Sequence, residues 1–322
     1  MLTLSFVADA AGELYGLEPL SIESLDQYHY DLRGIYRLRD AQSGAWVMRL
    51  KHGVEEYLSL SDTARLLDWL AQQQYPAPVV RRTVDRQSVA TLDGWAISLL
   101  SYVEGSVLGI SSAADLEAFA QTVARLHSLH IDGSSSFVQS RCHPDIIATA
   151  AHQLAKYRTN LPPAFQALAD NLHASMRELQ GIGWQLGVTH GDCWYQNAIK
   201  TGPGQVALID WDNVGIGWPL LEIGNLLLTA HFDLSRPLVL EPNAANIKAI
   251  MRGYQQHRQI GLEARTHLAD AMRFLLAFQL GEYITDESLF KHLDFPFVLE
   301  KLQARYNATQ PIAEIAAQHF EH

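Results

Sequence analysis

Val188-Thr189-His190-Gly191-Asp192-Cys193-Trp194-Tyr195-Gln196-Asn197 is the stretch from which the rest of the chain becomes readable. Its apolar start reads as a strand that runs into a polar loop carrying Asp192 and Asn197. Gly202-Pro203-Gly204 then marks a turn, and Gln205-Val206-Ala207-Leu208-Ile209 reads as a buried strand that delivers Asp210-Trp211-Asp212 at its end. Three oxygen-bearing side chains, Asp192, Asn197 and Asp210, are thereby presented on loops flanking one hairpin.

Such a set suits phosphoryl transfer from a nucleotide. One carboxylate must orient an acceptor hydroxyl and receive its proton, while a second carboxylate and an amide oxygen hold Mg²⁺ against the phosphates. The interval from Asp192 to Asn197 is D-x-x-x-x-N, that of a kinase catalytic loop. The metal-binding Asp of that scheme follows on the next hairpin, where Asp210 stands.

Outward from this stretch, composition narrows the possibilities. The chain has 322 residues, 48% hydrophobic and 18% charged, enough for a real core and for two domains or one two-lobed unit. Lys plus Arg number 24 against 35 Asp plus Glu, a net charge of −11, which argues against a nucleic-acid partner. No stretch has the ~20 uninterrupted apolar residues that span a bilayer, and Met1 to Gly12 lacks the pattern of a signal peptide. The reading is therefore no membrane partner and a cytoplasmic location. Two cysteines, Cys142 and Cys193, form no disulfide framework and lack zinc spacing.

The first hundred residues read as strands with one helix inserted. Ile35 to Arg39 alternates apolar with basic, Asp40 to Gly44 is a turn, and Ala45 to Leu50 completes a hairpin. Ser61 or Asp62 caps a helix with Leu66, Leu67 and Leu70 on one face, ended by Tyr75-Pro76-Ala77-Pro78. Val79-Val80, Ser88 to Leu92 and Trp95 to Tyr102 are further strands. After Gly105 the pattern turns helical: Ser112-Ala113-Ala114-Asp115 resembles a capping box ahead of Leu116, Phe119, Val123 and Leu126. Another helix runs through Phe165, Leu168, Leu172, Met176 and Leu179. Pro144 and Asp145 mark the start of a helix. Residues 1–102 are expected to form a β-rich lobe and residues 103–322 a larger helical one.

With these residues in place, the sequence resembles the aminoglycoside phosphotransferase and choline kinase-like family. The match is His190-Gly191-Asp192 through Asn197, then Leu208-Ile209-Asp210-Trp211, then Gly215-Ile216-Gly217-Trp218-Pro219. Weaker likeness covers nearly the whole chain, including Ala124-Arg125-Leu126-His127-Ser128-Leu129-His130. The resemblance implies an α+β, bilobal protein-kinase-like fold, with a small antiparallel-sheet N-lobe and a mainly helical C-lobe. It also implies a small-molecule kinase using Mg²⁺ and ATP, or GTP, on a hydroxyl acceptor. Asp192 is then the catalytic base, His190 the residue that stabilises its loop, and Asn197 and Asp210 the magnesium ligands. Trp46-Val47-Met48-Arg49-Leu50 matches a family strand that places Arg49 at the nucleotide phosphates, with Lys51 as an alternative. Leu100 to Gly105 matches the hinge, so the backbone of Ser101, Tyr102 and Val103 is expected to meet the base. Tyr15-Gly16-Leu17 matches an N-terminal strand.

Some positions depart from the family pattern. Trp218 replaces a common Asp before Pro219, and Glu222 replaces a common Asp; both changes are expected to affect loop packing. No Gly-rich phosphate loop is visible, Gly34 standing alone between Arg33 and Ile35. Asp62 is nearest in register to the acidic partner of Arg49, with Glu55 and Glu56 in the preceding loop. Cys193 reads as a buried, inert thiol, and Asp212 either assists the site or is merely exposed. Two other functions remain open on sequence alone. One is a nucleotide-binding pseudokinase, suggested by the irregular N-lobe. The other is a haloacid-dehalogenase-like phosphatase, with Asp210 in Asp210-Trp211-Asp212-Asn213-Val214 as nucleophile; that motif normally opens a parallel sheet.

Overall fold

Alternation along the first hairpin builds the N-terminal sheet. Tyr36 and Leu38 are buried while Arg39 is exposed, and β2 (Arg33–Asp40) pairs antiparallel with β3 (Gly44–His52), Tyr36 opposite Met48. The computed structural model describes residues 2–25, 32–42, 44–131, 137–183, 185–231, 241–285 and 295–320. Its contacts divide these into two units, one of residues Met1–Gly105 with Ala207–Asp212, the other of Ser106–Val206 with Asn213–His322.

In the first unit the sheet contains β1 (Pro19–Ser24), β2, β3, β4 (Val80–Arg81), β5 (Val89–Leu92) and β6 (Trp95–Ser101). The order is β1-β2-β3-β6-β4, with β5 also on β6, and every pairing is antiparallel. Leu38, Met48, Leu50, Ile97 and Leu99 are fully buried on one face. Against them packs α1 (Leu4–Tyr15) through Val7, Ala10, Ala11 and Tyr15. The expected strand at Tyr15 to Leu17 is thus corrected. Tyr15 closes a helix, and the Gly16 amide caps it by donating to the carbonyls of Ala11 and Gly12. The apolar positions recur at helical spacing, a period obscured by the many alanines.

The inserted helix is also longer than the sequence suggested. α2 spans Val54–Gln72, so it begins before Ser61 and takes Glu55 and Glu56 into its first turn. No side chain caps it; the start is marked by Gly53 and by acidic residues that favour the positive end of the helix dipole. Gly34 lies within β2, where a Cβ would come within 2.7 Å of both Leu2 Cδ1 and Tyr36 Cε2, so close packing explains it. Residues 26–31, between β1 and β2, lie outside the described residues.

The second unit is mainly helical. After β7 (Ser106–Val107) come α3 (Ala113–His127), α4 (Pro144–Tyr157) and α5 (Pro163–Gln180). The Asp115 amide donates to Ser112 Oγ at 3.2 Å, the expected cap, and Pro144 begins α4 as expected. Three short strands follow: β8 (Gly187–Thr189), β9 (Ala198–Gly202) and β10 (Gln205–Leu208). β11 (Gly215–Gly217) pairs antiparallel with β8, Ile216 opposite Val188. The rest is α6 (Pro219–Thr229), α7 (Ala244–Gln255), α8 (Leu262–Thr266), α9 (Leu268–Thr285) and α10 (Phe295–Ala317). No parallel sheet follows Asp210 among the described residues, which removes the structural basis of the phosphatase reading. No helix among them is long and apolar enough to cross a membrane.

Candidate active site

β8 carries buried Val188 and Thr189 into the loop at His190, which is itself fully buried. Gly191 follows with φ of +80°, and a Cβ there would stand 2.0 Å from the Asn213 carbonyl oxygen. Only glycine satisfies both the backbone angle and that approach. The loop is pinned from below by Glu222 of α6, whose carboxylate is entirely buried. It accepts from the His190 amide at 2.9 Å and from the Gly191 amide at 2.6 Å.

A third bond joins Glu222 to His127 Nε2 of α3 at 2.8 Å, and His127 Nδ1 lies 2.8 Å from the Tyr254 hydroxyl of α7. Burial alone would push Glu222 up; the hydrogen bond from His127 and the bond from the His190 amide oppose it, and the carboxyl is held below its ordinary value. Burial pushes His127 down, Glu222 opposing and Arg258 assisting. A neutral His127 therefore donates from Nε2 to Glu222 and accepts from Tyr254 at Nδ1. Glu222 is thus a clamp on the loop backbone. Its effect goes beyond the loop packing expected of it.

Asp192 emerges from this clamped loop with about a quarter of its side chain exposed. The short helical turn Tyr195–Asn197 folds Asn197 back, so that Nδ2 donates to the Asp192 carbonyl at 2.9 Å and to Asp192 Oδ2 at 3.0 Å. With the amide nitrogen so engaged, Oδ1 of Asn197 is the atom of that side chain that could hold a metal. Arg141, from the loop before α4, reaches Asp192 Oδ1 with Nη1 at 3.2 Å. Cys193 is fully buried, as expected, and burial pushes its thiol well up, with Glu222 adding to the effect.

In the first unit, Asp210 sits at the end of the β10 segment with φ of +60° and a half-exposed carboxylate. Arg49 of β3 lies 3.8 Å from Asp210 Oδ1 and pairs directly with Asp212. Lys51, on the same face of β3, bridges Asp212 at 3.4 Å and Glu56 of α2 at 3.2 Å. Burial pushes Asp212 up, but Arg49 and Lys51 outweigh it and hold it below its ordinary value. The helix acid facing the basic pair is Glu56, on Lys51, while Asp62 pairs with Arg65. Trp211 is buried, its Nε1 donating to the Leu208 carbonyl at 2.9 Å, which fixes the bend that presents Asp210 and Asp212.

At the hinge, the Ser101 amide donates to Val79 and the Tyr102 amide to Ala45. Val103 is the next amide along the chain and has no partner among the described residues. The Tyr102 ring lies under the Arg37 guanidinium at 3.9 Å.

The structure therefore brings Asp192, Asn197 and His190 together within one unit, and Arg49, Lys51 and Asp210 within the other. Sequence reasoning missed Arg141 and Tyr254 as parts of the site. It placed Glu56 in a loop because only the cap residue was sought. Taken unit by unit, the Asn197 amide oxygen in one and the Asp210 carboxylate in the other are each a donor type that suits a hard cation such as Mg²⁺.

The model of a family described as "Phosphotransferase enzyme family" matches residues 32–260. No curated protein matches the sequence significantly. Among solved structures, an amicoumacin kinase in complex with AMP-PNP, Ca²⁺ and Ami is 15% identical, covers 96% of this chain and 94% of its own, and has a TM-score of 0.72. A spectinomycin phosphotransferase with ADP and its antibiotic is 15% identical over 99% of each chain, with a TM-score of 0.64. A choline/ethanolamine kinase family protein from Mesorhizobium loti is 14% identical over 93% and 92%, with a TM-score of 0.62. At such identities these likenesses establish the fold, that of protein-kinase-like phosphotransferases.

Proposed function

This chain belongs to the phosphotransferase enzyme family, and we propose that it transfers the terminal phosphate of magnesium-ATP to a hydroxyl of a small molecule. The observation that carries the reading is the Asn197 Nδ2 bond to Asp192 Oδ2, 3.0 Å long. It fixes Asp192 Oδ2 while Arg141 Nη1 donates to Oδ1 at 3.2 Å, so the carboxylate is held in one orientation for chemistry. Asp192 orients the acceptor hydroxyl and takes its proton as the new oxygen–phosphorus bond forms and the bond to the leaving ADP oxygen breaks. Position and charge do the rest, with no covalent intermediate on the protein.

Asn197 through Oδ1 and Asp210 through its carboxylate are the residues that would hold magnesium. When bound, the ion neutralises the phosphate oxygens during transfer. Arg49 and Lys51 bind the phosphates, exchanging their present carboxylate partners for phosphate oxygens. Val103 donates its amide to the base, since the amides of Ser101 and Tyr102 are engaged in the sheet. AMP-PNP and ADP in the relatives' complexes support ATP as donor, and their bound antibiotics support a small acceptor. Two free, buried cysteines support a reducing, cytoplasmic setting.

Calorimetry of ATP binding with and without magnesium tests the metal assignment. Asp210→Ala should lose the magnesium-dependent part of the affinity, and an unchanged magnesium dependence would contradict it.

A further inference from the structure

Trp218, where the chain departs from the family pattern, borders a cavity of about 240 Å³ within the second unit. Pro219 and Ile223 of α6 line it, as do Tyr254 of α7 and, beyond that helix, Ile260 and Ala264. Its lining is fixed by main-chain bonds. The Trp218 amide donates to the Cys142 carbonyl at 2.9 Å, and Arg265 Nε donates to the Ile260 carbonyl at 3.1 Å. His190, Asp192 and Asn197 do not line this space.

Arg258 is the only charged side chain among the described residues that line it. It is half-buried, and its Nη1 donates to the His127 carbonyl at the end of α3. The rest of its donor fork has no acceptor, and the charge no carboxylate partner, among the described residues. A charge beside apolar walls is stabilised by a counter-ion, and a guanidinium takes a carboxylate through two parallel bonds.

The cavity sets the size of what Arg258 can hold. Benzene occupies an apolar cavity of about 150 Å³, so this larger one takes such a ring together with a short acid-bearing arm.

The same space is joined to the catalytic loop by hydrogen bonds. The Tyr254 hydroxyl lies 2.8 Å from His127 Nδ1, and His127 Nε2 donates to Glu222, which holds the amides of His190 and Gly191. Arg258 holds the carbonyl of that same histidine. Two lining residues thus converge on His127, one on its ring and one on its main chain.

From the cavity, the open donor fork of Arg258 and the shared His127 we infer a binding site for a small aryl carboxylate, linked to the catalytic loop. The ring of the ligand lies against Trp218 and Ile260, and its carboxylate sits on Arg258. An occupant draws Arg258 to its own acid and packs on Tyr254, so both contacts of His127 respond to it. The site goes beyond the phosphotransferase reading and does not rest on it, since binding is measured without turnover.

Calorimetric titration of the whole chain with phenylacetate, phenylacetamide and acetate tests it. Phenylacetate should bind, with the amide at least about tenfold weaker for want of the charge. Acetate should also be at least about tenfold weaker, for want of the ring. Arg258→Met should bring phenylacetate down to the affinity of the amide and leave the amide unchanged, and Arg258→Lys should restore part of the difference. Ala264→Trp, which fills the cavity and removes no hydrogen bond, should abolish binding of both. Saturating phenylacetate should shift the nuclear magnetic resonance signal of the His127 imidazole. Equal affinity for phenylacetate and its amide, or no binding of either, would overturn the inference and leave the kinase reading standing. Binding that survives Ala264→Trp, or a His127 signal unmoved at saturation, would overturn it as well. The acid-to-amide comparison and the His127 signal need only the unaltered protein, so a variant that fails to fold does not rescue the proposal.

Discussion

The amide of Gly191 donates to Glu222 Oε1 at 2.6 Å, so the residue just before Asp192 is tethered to a buried carboxylate on α6. Glu222 gathers three donors, two of them main-chain. An amide in its place can accept on one atom only and turns an N–H toward one of the donors. Glu222→Gln should therefore destabilise the fold by about 3 kcal/mol, the scale of breaking a buried, hydrogen-bonded charge. Its kcat should fall even at a temperature where the protein is fully folded. Urea denaturation followed by a turnover assay well below the transition checks both parts.

The same network sets the response to acid. His127, held below its ordinary 6.5 by burial, is neutral in the folded protein, whereas in the unfolded chain it takes up a proton as pH falls through that value. Glu222 is held below its ordinary 4.5, so it stays charged after its unfolded counterpart has been protonated. In both windows the unfolded state binds more protons, so stability drops as pH drops. His231, also pushed down by burial, acts in the same direction. Thermal unfolding should show Tm falling on going from pH 7 to pH 5. His127→Gln, which keeps a donor for Glu222 but cannot titrate, should flatten that slope in part. A slope identical in the two proteins would contradict the assignment.

Gly191→Ala tests the loop geometry directly. The added methyl meets the Asn213 carbonyl at 2.0 Å, and φ of +80° is strained for any residue with a Cβ. Strain of about 2 kcal/mol is the expected stability cost. Because relief requires the loop to move, kcat should fall by far more than the stability change explains, with nucleotide affinity largely retained. Steady-state kinetics together with nucleotide titration separates these effects.

Lys51 and Glu56 give a further prediction for the first unit. Lys51→Met should raise the nucleotide KM about tenfold or more, the equivalent of one lost charge-assisted bond. Glu56→Gln should raise it less, since it removes only the residue that positions Lys51 at 3.2 Å. The acceptor KM should change in neither. Competition against a fluorescent nucleotide reads the outcome.

Much of this was written in the sequence, and the reasons differ by residue. Asp192 and Asn197 were legible because a short loop with a fixed interval leaves little freedom in where the second side chain can fall. The β2–β3 hairpin was legible through its period-two alternation. α1 was not, since a helix rich in alanine has weak contrast between its faces, and its end at Gly16 resembles any turn. α2 was read too short because its start has no side-chain cap. Glu222 and Tyr254 could be named only once α3, α6 and α7 were packed together, as nothing local distinguishes a buried glutamate on a helix from an exposed one. Arg141 lies 51 residues from Asp192 in the chain, and no spacing rule joins them.

Asp192→Asn is the most direct test of the whole account. The substitution keeps shape and the contact with Asn197 but removes the carboxylate that accepts the proton. With Mg²⁺–ATP and an accepting alcohol, transfer should fall at least about 100-fold, the low end of what a positioned general base supplies, while ATP still binds in the presence of magnesium. Turnover at the level of the unaltered protein would show that Asp192 is not the base.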